Sequence, residues 1–377
     1  MNNEIPEAYP YLPFYNKEEW SLAEFLATSR LSKGSIDTFF KTPWVQKNLP
    51  SFQNAEQLFH HIDKFLPDGP KWHWKEITLL EAPNEPQLLF YRDPIECLQF
   101  LAQSPAFDGH QVYAPVKYFS DAEGTNRVYG EMNTGDAWHY YQSVIGREET
   151  VNPAILASDA THVTNFSGDG KVHPVYISSG QIHGDIRNQP NRRAFLLLCY
   201  LPVCKFGKTQ FPNITKSRVI PGRLQARLTH ACLKVVLESL QEAGNKAVPM
   251  VNYRGEERAN RVFLAAWIGD KEEQNLIAAL GANSCTGCNA ETEDLGDSLP
   301  CQPRTSKDIL KRIAKVKRHV DPSKNLWDFI KECQSEHLSG VDDPFWKDLP
   351  HTDICKVICN DTLHGLHKAF KDHTAQW

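Results

Sequence analysis

A run of apolar residues that ends in an acid constrains the fold of this chain most strongly. Residues 261–270 read Arg-Val-Phe-Leu-Ala-Ala-Trp-Ile-Gly-Asp, so residues 262–268 predict a buried β-strand with Asp270 at its end. The pair Cys285 and Cys288 follows, with Thr and Gly between the two cysteines. A carboxylate at the end of a buried strand, next to a Cys-x-x-Cys turn, favours metal-dependent chemistry on nucleic acid over an ordinary core.

Three further strands are predicted before this one. Residues 154–163, 172–178 and 193–201 are candidate strands separated by turn residues. Residues 224–243, which follow them, carry apolar side chains at helical spacing. Three strands, a crossover helix and a fourth strand are the order of a ribonuclease-H-like core, in which the fourth strand can pair in parallel with the first.

The whole chain is predicted to have an α/β (α+β) fold in three regions. Residues 1–150 form a mainly helical N-terminal region. Residues 151–290 form an incomplete ribonuclease-H-like core that carries two acids and the Cys-x-x-Cys turn, and residues 291–377 form a linker and the start of a helical insertion. Outside the core, helices are expected at residues 20–27, opened by Ser21, and at 54–65, 93–103, 131–143, 307–319, 325–333 and 361–373.

Composition narrows the possible partners. A chain of 377 residues is long enough for two or three compact units. No apolar run approaches the roughly 18 residues of a membrane span, and no secretory signal is visible at the start. The 10 cysteines are therefore expected to be reduced thiols of the cytosol or nucleus. The net charge of −5 implies that any contact with nucleic acid comes from a local patch.

Two acids are candidates for a metal site. Asp159 lies inside the first predicted strand, where an acid is costly unless it is paired or binds a cation. If this strand neighbours the one that ends at Asp270, the two carboxylates converge at one sheet edge and a divalent cation relieves their repulsion. Enzymes of phosphoryl transfer hold two metal ions in this way. In the alternative interpretation Asp159 starts a turn, and Asp270 caps a helix that begins at Lys271.

The Cys-x-x-Cys turn supplies only half of a tetrahedral zinc site. Its alternative is a pair of thiols that bind no metal at a turn. A redox role is disfavoured, because the pair does not open a helix in a thioredoxin-like context. The candidates for the other half of a zinc site are Asp361 with His364, and Cys355 or Cys359.

A basic segment is the candidate contact with nucleic-acid phosphates. Its cations are Lys311, Arg312, Lys315, Lys317 and Arg318. They share one predicted helix with apolar residues on the opposite side. Such a helix either contacts phosphates or simply exposes its charged face to solvent, and the pattern leaves both open.

Several ordered motifs closely resemble the Plavaka-type transposases of basidiomycete fungi, which are related to the CACTA group of cut-and-paste elements. The similarity covers nearly the whole chain, and an ordered set of motifs is much more specific than any one of them. The motifs are residues 9–14, 91–97, 155–161, 180–202, Gly269-Asp270 with Cys285-x-x-Cys288, 344–350, and Asp361-x-x-His364.

The resemblance implies a DDE-type catalytic domain with a ribonuclease-H-like fold. In that family three acids bind two Mg²⁺ ions for DNA strand cleavage and transfer, and here Asp159 would be the first acid and Asp270 the second. The family motifs C-x-x-C and [C/D]-x-x-H are matched by Cys285, Cys288, Asp361 and His364, which raises the expectation of a structural Zn²⁺ site. The implied partners are the DNA ends of the element, with a homo-oligomer left open, and the implied location is the nucleus.

The sequence departs from the family pattern. It shows no third catalytic acid, and family members continue further, through the helical insertion to that acid. Lys271 and Glu272 replace the Tyr-Pro that usually follows Gly-Asp. We therefore expect the N-terminal portion of a transposase-derived protein that is not competent alone, so whether the chain is an enzyme is left open. The alternative is a domesticated, non-catalytic fragment that binds DNA or a partner protein.

Overall fold

The computed structural model describes residues 11, 13–65, 69–162, 170–211, 214–282, 284–290, 294, 301–360, 367, 370 and 371. The chain divides into two units, Met1–Gly69 and Pro70–Trp377. The region boundaries predicted at residues 150 and 290 stay predictions. The helices of the first unit are α1 (Lys17–Thr28), α2 (Lys33–Phe40), α3 (Pro43–Lys47) and α4 (Ala55–Phe65).

The first unit is built around phenylalanine side chains. The rings of Phe14 and Phe40 both meet that of Phe52 edge to face, with centroids 5.8 and 5.7 Å apart, a geometry that aromatic pairs prefer. Helix α1 begins before the predicted Ser21, because the side chain of Asn16 accepts a hydrogen bond from the backbone N–H of Glu19. The prediction of a helix at residues 54–65 is confirmed by α4.

The second unit combines strands and helices. Its strands are β1 (His73–Ile77), β2 (Gln87–Tyr91), β3 (Tyr118–Phe119), β4 (Arg127–Val128), β5 (Thr150–Ser158), β6 (Thr161–His162), β7 (Lys171–Ser179), β8 (Leu196–Leu201), β9 (Val248–Val251), β10 (Glu257–Gly269) and β11 (Ile358–Asn360). Its helices are α5 (Pro94–Ala102), α6 (Asp136–Ile145), α7 (Gly184–Arg187), α8 (Ile214–Val236), α9 (Glu238–Asn245), α10 (Lys271–Ile277), α11 (Ser306–His319), α12 (Leu326–Ser335) and α13 (Ile354–Val357).

A mixed sheet forms the centre of the second unit. Its strand order is β1-β2-β8-β7-β5-β10-β11, with β6 paired to β7 and β9 to β10. Strand β10 runs parallel to both β5 and β11, and the other pairs are antiparallel. The parallel pair places the ends of β5 and β10 side by side, since Ile268 is in register with Ala157. The predicted parallel pairing of the first and fourth core strands is therefore confirmed.

Both faces of β10 are covered, which explains its nearly continuous apolar sequence. Val262 and Leu264 belong to the main core cluster, which includes buried side chains of α8 and α9. Phe263, on the alternate side, stacks on Tyr141 of α6 with ring centroids 4.6 Å apart and an interplanar angle of 10°. The sheet is therefore a central layer between helices at the position of β10.

The structure corrects several local predictions. The helix predicted at residues 224–243 is two helices, α8 and α9, which meet at Leu237. A 3-10 turn at Met132–Thr134 precedes α6, so the helix predicted at residues 131–143 begins later. The antiparallel pair of β1 and β2 lies in the region predicted to be mainly helical.

The helices predicted at residues 93–103, 307–319 and 325–333 are confirmed by α5, α11 and α12. The helix predicted at residues 361–373 lies outside the described residues, apart from positions 367, 370 and 371. Within the described part of the chain, no helix combines the length and the apolar character needed to cross a membrane.

Candidate functional site

The two predicted acids lie at neighbouring strand ends. The prediction that Asp159 lies inside the first strand is wrong, because β5 ends at Ser158 and Asp159 follows it, before the short strand β6. Asp270 follows the last residue of β10, as predicted. Both line one cavity of about 380 Å³, together with Lys171 and His173 of β7. Asp159 is exposed and Asp270 is half-buried, so both carboxylates are accessible to a ligand in the cavity. The sheet therefore brings together two acids that are far apart in the sequence.

Asp270 also caps the helix that follows it. Its Oδ1 accepts a hydrogen bond of 2.8 Å from the backbone N–H of Glu273, in the first turn of α10. This is the bonding expected of an N-cap aspartate, and it fixes the side chain relative to the strand end. Asp270 therefore both caps α10, as the alternative interpretation expected, and lines the cavity.

A buried polar network lies beside these acids. The carboxylate Oε1 of Glu273 accepts a hydrogen bond from Ser158 Oγ and lies 3.0 Å from His173 Nε2. Ser158 Oγ in turn accepts a hydrogen bond of 2.9 Å from Trp267 Nε1. Glu273 and His173 were not among the site residues predicted from the sequence. The sequence does give one indication that His173 is buried. It lies two residues before the apolar Val175 and therefore shares the buried face of that strand.

The Cys-x-x-Cys turn is held by two cations. Arg304 Nε donates hydrogen bonds to the carbonyl oxygens of Cys285 and Cys288 at 2.8 and 3.1 Å, and Lys271 Nζ donates one to the carbonyl of Ser284 at 2.6 Å. Burial alone raises the pKa of the Cys285 thiol, but hydrogen bonds from Cys288 and the charge of Lys271 bring the pKa below its usual value. A lowered thiol pKa favours the thiolate, which is the form that binds metal.

The other half of the predicted zinc site is not assembled by the described residues. Asp361 and His364 lie outside them. Burial raises the pKa of Cys355 to about 12 and also raises the pKa of Cys359, which disfavours both thiolates. In the part of the chain that the structure describes, no three or more His, Cys, Asp or Glu side chains are grouped in a way that could hold a metal ion.

The basic residues of α11 lie near acids of their own unit. Lys315 forms an ion pair with Glu336, and Lys317 Nζ lies 3.6 Å from a carboxylate oxygen of Asp342. The remaining predicted cations have weaker neighbours: Lys311 lies 3.9 Å from Asp308, Arg312 donates to the carbonyl of Glu336, and Arg318 donates to that of Ala314. The opposite face of the helix is buried through Ile309, Ile313 and Val316. The role of these cations in nucleic-acid binding stays a prediction.

The fold and the cavity define a mixed α/β protein with a pair of acids at the ends of two parallel strands. The model of the Plavaka transposase family matches residues 52–377, which is most of the chain. The chain therefore belongs to the Plavaka transposase family, as its ordered motifs indicated. A search of curated proteins found no match to the chain.

Proposed function

We propose that the second unit carries a ribonuclease-H-like metal site of a DNA transposase, in which Asp159 and Asp270 bind Mg²⁺. The observation that carries the proposal is the convergence of both acids on one cavity at the ends of β5 and β10. The family match supports it, because transposases act by cleaving and joining DNA strands. DNA is then the partner, and the nucleus is the place of action.

The strand order supports the fold that we propose. Strands β5, β7 and β8 form an antiparallel meander. Strand β10 adds in parallel beside β5, and β11 adds in parallel beside β10. This is the arrangement expected of a ribonuclease-H-like core, with its first strand at the centre. Strands β1 and β2 extend the sheet beyond β8.

The donor set fits a magnesium ion. Mg²⁺ is usually held in proteins by one or two carboxylates, with water and substrate phosphates as the other ligands. Asp159 and Asp270 supply two carboxylates, and Lys171, on the same cavity, supplies a positive charge that would attract a phosphate. When bound, the metal would activate the attacking oxygen and stabilise the leaving oxygen. The family uses a third acid. Glu272 and Glu273 also line this cavity, but among the described residues no three such side chains are grouped closely enough to hold a metal ion.

The Cys-x-x-Cys turn is proposed as half of a structural zinc site. The family motifs give Asp361 and His364 as the other half. The lowered pKa of Cys285 supports the assignment of that thiol as a ligand. A zinc ion there would tie the segment after α13 to the segment after α10 and would stabilise the fold.

The metal proposal is tested by Mn²⁺ binding. Mn²⁺ is titrated into the full chain and into the variants Asp159→Asn and Asp270→Asn, and the free ion is measured by electron paramagnetic resonance. Asn retains the capping oxygen at position 270, so the helix is preserved. Each variant is expected to lose about tenfold or more in affinity, and Glu238→Gln, an exposed acid on α9, none.

DNA cleavage is measured with the same proteins. Nicking of supercoiled plasmid that requires Mg²⁺ and is lost in Asp159→Asn would establish a catalytic protein. DNA binding without nicking, together with Mn²⁺ binding that needs both acids, would support the non-catalytic alternative. Mn²⁺ affinity that is the same in wild type and both variants would contradict the assignment of these acids.

A further inference from the structure

We propose that Glu273 is a positioning residue that fixes Asp159 and Asp270 relative to each other. The inference rests on the proposed function, because the spacing of the two acids matters only if they bind a metal ion. The contacts of Glu273 from which it is argued do not involve a metal. Glu273 lies in the first turn of α10 and is 6% exposed. A carboxylate in the first turn of a helix usually lies on the surface, where its negative charge interacts favourably with the helix dipole.

Glu273 forms hydrogen bonds at both strand ends. Its carboxylate accepts a hydrogen bond from Ser158, the residue immediately before Asp159. Its backbone N–H donates the hydrogen bond of 2.8 Å to the carboxylate of Asp270. A single residue therefore connects the end of β5 to the end of β10 at the point where each strand delivers its acid.

The third connection is to β7. His173 Nε2 lies 3.0 Å from the Glu273 carboxylate, and both side chains are 6% exposed. A buried carboxylate is strongly unfavourable unless donors and a partner compensate for lost hydration. Ser158 and His173 supply these donors, so the carboxylate is fixed in orientation. The end of β5 and the beginning of β7 are thereby joined to α10.

A glycine makes room for this arrangement. A Cβ atom placed on Gly269 would lie 2.8 Å from Cγ and 3.0 Å from Cβ of Glu273. Both are inner atoms of a buried side chain, so they cannot move aside without displacing the carboxylate. The last residue of β10 must be glycine if Glu273 is to reach Ser158.

Glu273 is better assigned to positioning than to metal binding. Its Oε1 is already used by Ser158 and His173. Glu273 lines the same cavity as the two aspartates, but it is buried, whereas Asp159 is exposed and Asp270 is half-buried. In addition, among the residues that the structure describes, it does not complete a group of three that could hold a metal ion.

The test combines hydrogen exchange with Mn²⁺ binding on the full chain. The variants are Glu273→Gln, which removes the charge, and Gly269→Ala, which keeps every carboxylate but displaces Glu273. Both are expected to raise amide exchange about tenfold at residues 157–160 and 269–273 together, and to lower Mn²⁺ affinity about tenfold. The matched control Glu272→Gln removes the neighbouring charge and is expected to leave exchange at residues 157–160 unchanged.

The outcomes separate this proposal from the proposed function. Joint loosening of both strand ends without any Mn²⁺ binding by the wild type would keep the positioning role and refute the metal site. Loosening confined to residues 269–273, or a uniform rise along the whole of β5 and β10, would overturn the positioning role. Ser158→Ala is the milder variant if the others fold poorly, and the same joint loosening at both ends is expected of it.

Discussion

A buried histidine makes the stability of the second unit depend on pH. His230 of α8 is 1% exposed, and its Nε2 lies 2.9 Å from the carbonyl oxygen of Leu276. Its Nδ1 accepts a hydrogen bond of 3.3 Å from the backbone N–H of Phe345. These partners require a neutral ring with the proton on Nε2, because a proton on Nδ1 would face another N–H. Burial accordingly lowers the pKa of His230 from 6.5 to about 4.

The size and sign of the effect follow from this shift. Below pH 6.5 the unfolded chain takes up a proton on His230 that the folded chain does not, so stability falls as pH falls toward 4. Each pKa unit corresponds to about 1.4 kcal/mol, which gives a loss of about 2 kcal/mol between pH 7 and pH 5 and about 3 kcal/mol in total. Above pH 6.5 the contribution is complete and the free energy of unfolding no longer changes through this group.

The assay compares the wild type with His230→Gln. Both are unfolded in urea at pH 7 and pH 5 and followed by tryptophan fluorescence, to which the buried Trp267 and Trp346 contribute. The variant is expected to be less stable than the wild type at pH 7. From pH 7 to pH 5, however, its free energy of unfolding is expected to fall by about 2 kcal/mol less than that of the wild type. Carboxylates that titrate in both proteins cancel in this difference. The control His60→Gln, on the exposed surface of α4 in the other unit, keeps the wild-type difference.

Equal losses of stability in the wild type and His230→Gln would refute this reasoning. They would mean that the folded second unit accepts a proton on His230 as readily as the unfolded chain does. The hydrogen bonds to Leu276 and Phe345 would then not hold the ring in its neutral form.

Three further predictions concern single side chains. Cys285→Ser is expected to lower the zinc content of the purified chain, measured by atomic absorption, whereas Cys204→Ser is not. Arg227→Met removes the shared partner of Glu81 and Asp342, at 2.8 and 2.9 Å, and is expected to cost roughly 2–3 kcal/mol of unfolding free energy in urea. Gly244→Ala brings a Cβ to 3.0 Å from the carbonyl oxygen of Val262, and calorimetry is expected to show a loss of about 2 kcal/mol.

The order of elements in the sequence was sufficient to predict the centre of the sheet. Few topologies are compatible with three strands followed by a helix and a fourth strand. The long connection before the fourth strand allowed it to pair in parallel with the first, and β5 and β10 form that pair. Asp159 was placed inside the first of these strands and Asp270 at the end of the fourth, so the pairing of the two strands also predicted that the acids would converge at one sheet edge. They do line one cavity.

Features that depend on distant partners were not predictable in the same way. Strand β2 is an apolar run between proline-containing loops. It pairs with β1 along its length, and its place in the central sheet depends on the distant pairing of Phe90 with Tyr200 of β8. Glu273 follows Asp270 closely and has the local pattern of a surface acid in a first helical turn. Its burial depends on Ser158 and His173, which are 115 and 100 residues away.

The pairing of β5 with β10 has a consequence for how the protein folds. The contact between Ser158 and Glu273 closes a loop of 115 residues, which contains β7, β8, α8 and α9. Contacts this distant in sequence form slowly, because the chain entropy of closing the loop is lost before the contact compensates for it. During synthesis Asp159 emerges well before β10, so the cavity cannot assemble until β10 and α10 have been synthesised. The two acids therefore come together only when the central parallel pair of the sheet forms.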